Sequence, residues 1–133
     1  MSEFCLDIRV YVEDTDVGGI VYYANYLKYM ERARTELMRS LGYSKPAMFD
    51  GFMFVVHSLE LKYLQPAVLD DQLVATARLI KAGRSSFVVE QQVRRGDELL
   101  VSGVVKAACL NADSKKPTAI PAEMLAILRN AAV

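Results

Sequence analysis

Glu13, Asp14 and Asp16 close an alternating apolar segment, just ahead of Gly18-Gly19 and an amphipathic stretch of helical period. That order gathers carboxylates, backbone without side chains and a helix N-terminus into a few residues. A helix N-terminus offers unpaired N–H groups and partial positive charge, so it can hold a polarised carbonyl oxygen. A carboxylate beside it can attack the carbonyl carbon, or activate a water that does. The combination points to acyl transfer or hydrolysis. The residues alone also allow a plainer reading: acids that form turns or face a helix dipole, and glycines that supply positive φ to a tight loop.

These groups need elements to hold them. Ile8, Val10 and Val12 alternate with Asp7, Arg9, Tyr11 and Glu13, which predicts a strand broken at Gly18-Gly19. A helix is expected from between Tyr22 and Asn25 to Leu41, with Gly42 just past its end. Tyr26, Met30, Ala33, Leu37 and Leu41 would form its apolar face, broadened by Leu27 and Met38, and Lys45–Phe49 a short helical turn. From Phe52 the period becomes two. Val55, Leu59, Leu61 and Tyr63 share one face of a strand ended by Pro66, and Asp70-Asp71 mark a turn. Leu73 to Leu79 and Phe87, Val89, Gln91 and Val93 give two more strands. Leu99–Leu110, apolar on both faces, reads as a central strand. Asn111 to Pro117 is a polar loop, and a C-terminal helix follows Pro121. One strand, one long helix and four strands joined by short turns predict an α+β fold with an antiparallel sheet. Residues 1–133 read as one domain.

Composition narrows the function. With 53% apolar and 24% charged residues, the chain is apolar-rich for its length, which implies that another subunit covers part of its surface. Sixteen basic and sixteen acidic residues balance, with no basic tail or basic-aromatic stripe, which argues against nucleic acid. No apolar run reaches the ~20 residues that cross a bilayer. The acidic start, with Glu3 and Asp7, does not read as a signal peptide. Cys5 and Cys109 are too few for a disulfide framework and read as reduced thiols in a cytoplasmic protein. No His, Cys and carboxylate cluster has metal-ligand spacing. No metal or redox cofactor is expected.

Glu13-Asp14-x-Asp16-x-Gly18-Gly19-x-Val21-Tyr22-Tyr23-Ala24-Asn25-Tyr26, followed by Glu31-Arg32-Ala33-Arg34, resembles the 4-hydroxybenzoyl-CoA thioesterase family of the hotdog fold. The nearest branch is that of the small bacterial acyl-CoA thioesterases, including the Tol-Pal-associated members. The resemblance spans roughly residues 8–121. It implies a sheet wrapped around its long helix, a homodimer or homotetramer, and hydrolysis of an acyl-CoA to free acid and CoA. It further implies Asp16 as nucleophile or general base and the Tyr23 backbone N–H as oxyanion donor, with Gly18 and Gly19 admitting the thioester. Many Tol-Pal-associated members carry histidine where this chain has Tyr23, whereas the 4-hydroxybenzoyl-CoA enzymes carry tyrosine. An aromatic side chain there would tolerate an aryl or bulkier acyl group.

Gly83-Arg84-Ser85-Ser86-Phe87 resembles the family's CoA-binding segment, with Arg84 on phosphate and Ser86 on pantetheine or main chain. The plainer reading is a hairpin turn. Lys115 and Lys116 could reach the nucleotide from a neighbouring subunit or simply be solvated. By strand alternation Asp14 and Asp16 share a face, where each charge would raise the other's pKa, and Asp14 reads as structural. Glu31 can pair with Arg34 or Lys28 along the helix. Two rival functions stand beside the thioesterase. A hotdog dehydratase or hydratase needs a histidine paired with a carboxylate, and the sole histidine, His57, lies mid-strand. The other is a non-catalytic module that binds acyl thioesters or acyl carrier protein, although binding alone needs no acid beside an oxyanion site.

Overall fold

The apolar alternation that begins the chain forms strand β1 (Phe4–Arg9) in the computed structural model, which describes residues 3–45 and 49–132. The strand stops three residues before Val12, because Val12–Asp14 close a single 3-10 turn. The Asp14 Oδ2 accepts the Tyr11 N–H at 2.8 Å, and the Thr15 hydroxyl donates to the Val12 carbonyl at 2.9 Å. Short polar side chains thus offer the backbone an alternative to ladder pairing. Val12 consequently points into solvent rather than the core.

Helix α1 (Asn25–Ser40) ends where Gly42 takes φ +106. Gly42 N–H bonds the Arg39 carbonyl and Tyr43 N–H the Met38 carbonyl, the paired closure that a left-handed residue permits. Tyr26, Met30, Ala33, Leu37 and Met38 are buried as the spacing predicts, and so is Tyr29. Tyr29 lies three residues after Tyr26 and four before Ala33, so it extends their stripe. Leu27 instead faces partly outward, and Leu41 is half-buried. Truncating the fully buried Met30 to Ala would cost about 2–5 kcal/mol. The expected turn over Lys45–Phe49 falls largely on residues 46–48, outside the described residues.

Strands β2 (Phe52–Tyr63), β3 (Gln72–Ala82), β4 (Ser86–Arg95) and β5 (Glu98–Asn111) follow, then helix α2 (Ala122–Ala131). The sheet is antiparallel with order β1-β3-β4-β5-β2, and α1 packs across β1, β3 and β4. This is the expected α+β hotdog architecture, an antiparallel sheet with one long helix against its inner face. The interior strand β5 carries the run that is apolar on both faces, as interior position requires.

One facing assignment changes. The β2–β5 register slips between Val56 and Ser58, leaving His57 as a bulge. Residues directly opposite one another share a face. Phe54, Val56, Leu59, Leu61 and Tyr63 oppose Cys109, Ala107, Val105, Gly103 and Val101, so Val56 rather than Val55 joins Leu59 on the helix side. A bulge shifts the alternation by one residue, and a pattern read in strict twos misses it. On that inner face Gly103 leaves room for the Leu61 side chain of the neighbouring strand: a Cβ there would lie 2.3 Å from Leu61 Cδ2 and 3.1 Å from the Glu60 oxygen.

Candidate active site

Residues 14–22 form a small hairpin between β1 and α1. Thr15 and Val21 pair across it, Asp16 N–H donates to the Ile20 carbonyl at 2.9 Å, and Gly19 N–H donates to the Asp16 carbonyl at 3.0 Å. Gly19 has φ +78, a conformation that a side chain would strain. The tip holds the Asp16 carboxylate in place, because its Oδ1 accepts the Gly18 N–H at 2.9 Å. Asp16 itself is exposed. The hairpin rests on the 66–71 turn, through Val21 N–H to Ala67 O and the pairing of Ile20 with Val68.

Asp14 has another occupation. Its carboxylate caps the 3-10 turn, and its carbonyl accepts both Tyr22 N–H at 2.9 Å and Asn25 Nδ2 at 2.8 Å. The two acids are therefore not alternating strand neighbours; each is bound to a different backbone N–H. The buried Tyr29 hydroxyl faces this structural acid. Its pKa is raised well above the usual phenol value, by burial first and by Asp14 next.

Beyond Asp14 the chain enters α1. Ala24 is the N-cap with no side-chain cap, and among the described residues neither Tyr23 N–H nor Ala24 N–H has an acceptor. These are donors of the kind a helix start leaves open to a ligand. The Tyr22 and Tyr23 rings are 4.9 Å apart. The Tyr22 phenol is pushed above its ordinary value, chiefly by hydrogen bonding to the Tyr23 hydroxyl and in lesser part by the Asp16 carboxylate. The Thr15–Val21 pairing and the Tyr22 N–H to Asp14 carbonyl bond lay the acid-bearing arm of the hairpin alongside the approach to the helix start. A recess of ≈ 240 Å³ lies against Tyr23, walled by Ile20, Tyr26, Tyr63 and Pro66, and Tyr63 donates from its hydroxyl to the Tyr23 carbonyl at 3.2 Å. Tyr22 and Asn25 belong to the family motif but carry no role from sequence alone; the structure brings both to the hairpin base through the Asp14 carbonyl.

Arg84 and Ser86 sit elsewhere. Gly83 N–H bonds the Ser86 carbonyl at 2.7 Å, closing the β3–β4 turn, and Arg84 is exposed. The acid hairpin lies at the Gln72 end of the 11-residue strand β3, whereas this turn lies at the Ala82 end. Fully extended at ~3.3 Å per residue, β3 is about 33 Å long, so the length of a strand separates the two within one chain. His57 is six residues before Tyr63 on β2, about 20 Å along the strand, and projects from the bulge into solvent. Glu31 is paired neither with Arg34 nor Lys28: the Thr35 hydroxyl donates to it, while Arg34 Nη1 donates to Gln91 Oε1 at 2.8 Å. Among the described residues no group of three or more His, Cys, Asp or Glu could hold a metal ion, and no helix is long and apolar enough to cross a membrane.

Comparison with known proteins agrees with this fold. Residues 18–102 match the model of the thioesterase superfamily. The chain is 38% identical over 125 residues to the acyl-CoA thioesterase YbgC of Haemophilus influenzae, covering 92% of each. It is 36% identical over 121 residues to the acyl-CoA thioester hydrolase YbgC of Escherichia coli, covering 90% of each. The crystal structure of a probable thioesterase from Bartonella henselae superposes with a TM-score of 0.81 at 34% identity, covering 91% of this chain and 100% of that one.

Proposed function

The chain belongs to the thioesterase superfamily, and from that premise we propose that it hydrolyses acyl-CoA thioesters, with Asp16 as the attacking or water-activating carboxylate. The observation that carries this reading is the hairpin. It presents the Asp16 carboxylate, held by Gly18 N–H, beside a helix start whose Tyr23 N–H has no protein acceptor. A thioester oxygen accepting from Tyr23 N–H would have its carbonyl carbon polarised and its developing negative charge met by a fixed dipole. Donors aimed at developing charge contribute several kcal/mol in the transition state, and loss of one costs about 3. Two routes then lead to the same products. Attack by the carboxylate forms an acyl-aspartyl anhydride and expels CoA thiolate, after which water releases the acid; alternatively the carboxylate takes a proton from the water that attacks. Neither route calls for a metal or redox cofactor.

Gly19 would keep the approach of the thioester open, and Arg84 and Ser86 would hold the CoA phosphates and pantetheine. The length of β3 that separates that turn from the hairpin supports a homodimer or homotetramer in which one copy's Arg84 and Ser86 serve a second copy's Asp16. Apolar side chains exposed around the hairpin, Val17, Ile20 and Tyr23 among them, fit such coverage. The cytoplasm, where acyl-CoA is found, is the compartment this reading assigns. The test is thiol release from short, long and aromatic acyl-CoAs by wild type and Asp16→Asn. The expected result is turnover by wild type and a loss of about 10²-fold or more in the variant, on the scale of a displaced acid or base. Equal rates would move the chemistry to another carboxylate.

A further inference from the structure

Strand β2 ends at Tyr63, whose hydroxyl donates to the Tyr23 carbonyl at 3.2 Å. That carbonyl stands at a gap in the helix ladder. The Leu27 N–H, which a regular helix would aim at it, bonds the Ala24 carbonyl instead at 3.1 Å, and among the described residues no backbone N–H is bonded to the Tyr23 oxygen. The Tyr23 C=O and the Ala24 N–H are the two ends of one planar, resonance-coupled peptide group. Like the Tyr23 N–H one residue earlier, the Ala24 N–H has no acceptor among the described residues. A hydrogen bond received at the oxygen of such a group draws charge towards it and leaves the N–H a stronger donor, as linked hydrogen bonds polarise one another. It also fixes the plane in which that N–H points. Tyr63 is itself held. Its ring meets Tyr23 edge-on at a centroid separation of 6.2 Å and Tyr26 at 5.7 Å, and the Tyr26 hydroxyl accepts the Ala67 N–H at 3.0 Å. Burial raises the Tyr63 pKa, with Tyr23 and Tyr26 adding in lesser part, so the phenol keeps the proton it donates. The recess beside Tyr23, with Tyr63 as one wall, gives a ligand oxygen room to arrive.

We propose that Tyr63 is a positioning residue of the oxyanion site: acting through the Tyr23 carbonyl, it fixes and polarises the Tyr23–Ala24 peptide, so that the Ala24 N–H donates to the thioester oxygen beside the Tyr23 N–H. The inference rests on the thioesterase reading above and deepens it. The ground-state carbonyl oxygen carries only a partial charge, whereas the tetrahedral intermediate carries a full one. A polarised donor therefore gains strength along the reaction path, and its contribution falls on kcat rather than KM. The hydroxyl hydrogen of Tyr63 is committed to the Tyr23 oxygen, so the phenol acts through the peptide and not on the thioester. This also accounts for a tyrosine at the end of an edge strand with its ring half exposed, a place where packing alone does not call for a hydroxyl.

The experiment pairs kinetics with one NMR signal. Tyr23-Ala24 is the only Tyr-Ala step in the chain, so protein labelled with carbonyl-¹³C tyrosine and ¹⁵N alanine gives a single peak when amides are correlated with their preceding carbonyls. The probe is a 2-oxoalkyl-CoA thioether, in which a CH₂ separates sulfur from the carbonyl and hydrolysis is blocked, with its chain matched to the best substrate. In wild type, binding of the probe should move the Ala24 amide proton downfield. In Tyr63→Phe, which keeps the ring contacts, the Tyr23 carbonyl carbon should move upfield and the probe-induced proton shift should shrink. Its kcat should fall about 10-fold with KM nearly unchanged, the scale of one hydrogen bond carried into the barrier. A Tyr63→Phe kcat equal to wild type overturns the inference and leaves the thioesterase reading standing. So does an Ala24 proton that stays in place when the probe binds wild type. A lower kcat that comes with a lower Tm and an unaltered probe-induced shift also overturns it, since Tyr63 then serves the fold alone. Should Tyr63→Phe fail to fold, the wild-type peak decides. Absence of turnover on every acyl-CoA overturns both readings.

Discussion

Asn25 donates from Nδ2 to the main-chain oxygen of Asp14 at 2.8 Å, tying the first residue of α1 to the acid-bearing hairpin eleven positions earlier. The same oxygen accepts Tyr22 N–H, so the base of the hairpin and the start of the helix are fixed to one atom. Asn25 is 9% exposed, and its own N–H bonds the Tyr22 carbonyl. The clip joins the hairpin that carries Asp16 to the helix start that carries the Tyr23 N–H.

Under the proposed mechanism Asn25→Ala should therefore lower kcat more than it raises KM, because it loosens the tie between the Asp16 hairpin and the helix start without touching the Gly83–Ser86 turn. The loss of a half-buried hydrogen bond should cost about 1 kcal/mol, a few degrees in Tm. Thermal melts and steady-state kinetics on one preparation check both. A stability loss with kcat unchanged would show that the clip serves the fold alone.

A subunit-mixing experiment tests the separation of Asp16 from Arg84. Arg84→Gln should raise KM for acyl-CoA by about 10-fold, the scale of a lost charge-assisted phosphate contact, while leaving Tm in place because Arg84 is exposed. Asp16→Asn should lower turnover by about 10²-fold or more. If the two residues act from different copies, an Asp16→Asn/Arg84→Gln hybrid carries one site with both native residues. Mixed subunits should then regain low-KM activity that neither parent has. A mixture no better than the sum of its parents would place both residues on one copy.

Much of this arrangement is written in local pattern. The strand-glycine-helix order locates Asp16 and Tyr23 because hairpin, N-terminus and amphipathic stripe are properties of neighbouring residues. The same holds for the Gly42 stop and the turns at Asp70-Asp71 and Gly96. What escaped depends on contacts distant in sequence. The His57 bulge is settled by pairing with Ala107 and Lys106, about fifty residues on. Nothing local says that Gly83–Ser86 lies at the far end of the sheet from Asp16; strand direction does. Arg34 looked like a helix-surface partner of Glu31, although Gln91 gave a usable signal. A glutamine in register with Phe87, Val89 and Val93 on an inward face must find buried partners, and it finds Arg34, Met30 and Thr76.

Gly103→Ala tests the space between the paired strands β5 and β2. The added Cβ would meet Leu61 Cδ2 at 2.3 Å and the Glu60 carbonyl oxygen at 3.1 Å, with Met30 Cε at 3.5 Å. Leu61 can rotate away, but the Glu60 backbone is held in the β2–β5 ladder. Overpacking of this kind costs about 1–3 kcal/mol, and a fall in Tm of several degrees is expected. An unchanged Tm would mean that β2, an edge strand, shifts freely.

The last prediction concerns acid. Burial pushes the Asp71 carboxyl up, but the Val68 N–H at 2.9 Å and the Arg95 guanidinium at 2.6 Å outweigh it and hold its pKa below the ordinary carboxylate value. A carboxyl with a depressed folded pKa contributes stability in full above its unfolded pKa, about 4, and loses it as pH falls through the folded value. Asp71 closes the turn whose Ala67 and Val68 support the acid hairpin, so the contribution reaches the site. Urea melts of wild type and Asp71→Asn should differ most at pH 7 and converge below pH 4. Activity measured near the lower end of the stable range should fall earlier in the variant. A stability gap that stays constant from pH 7 to pH 3 would mean that the Asp71 contribution is packing of the turn rather than charge.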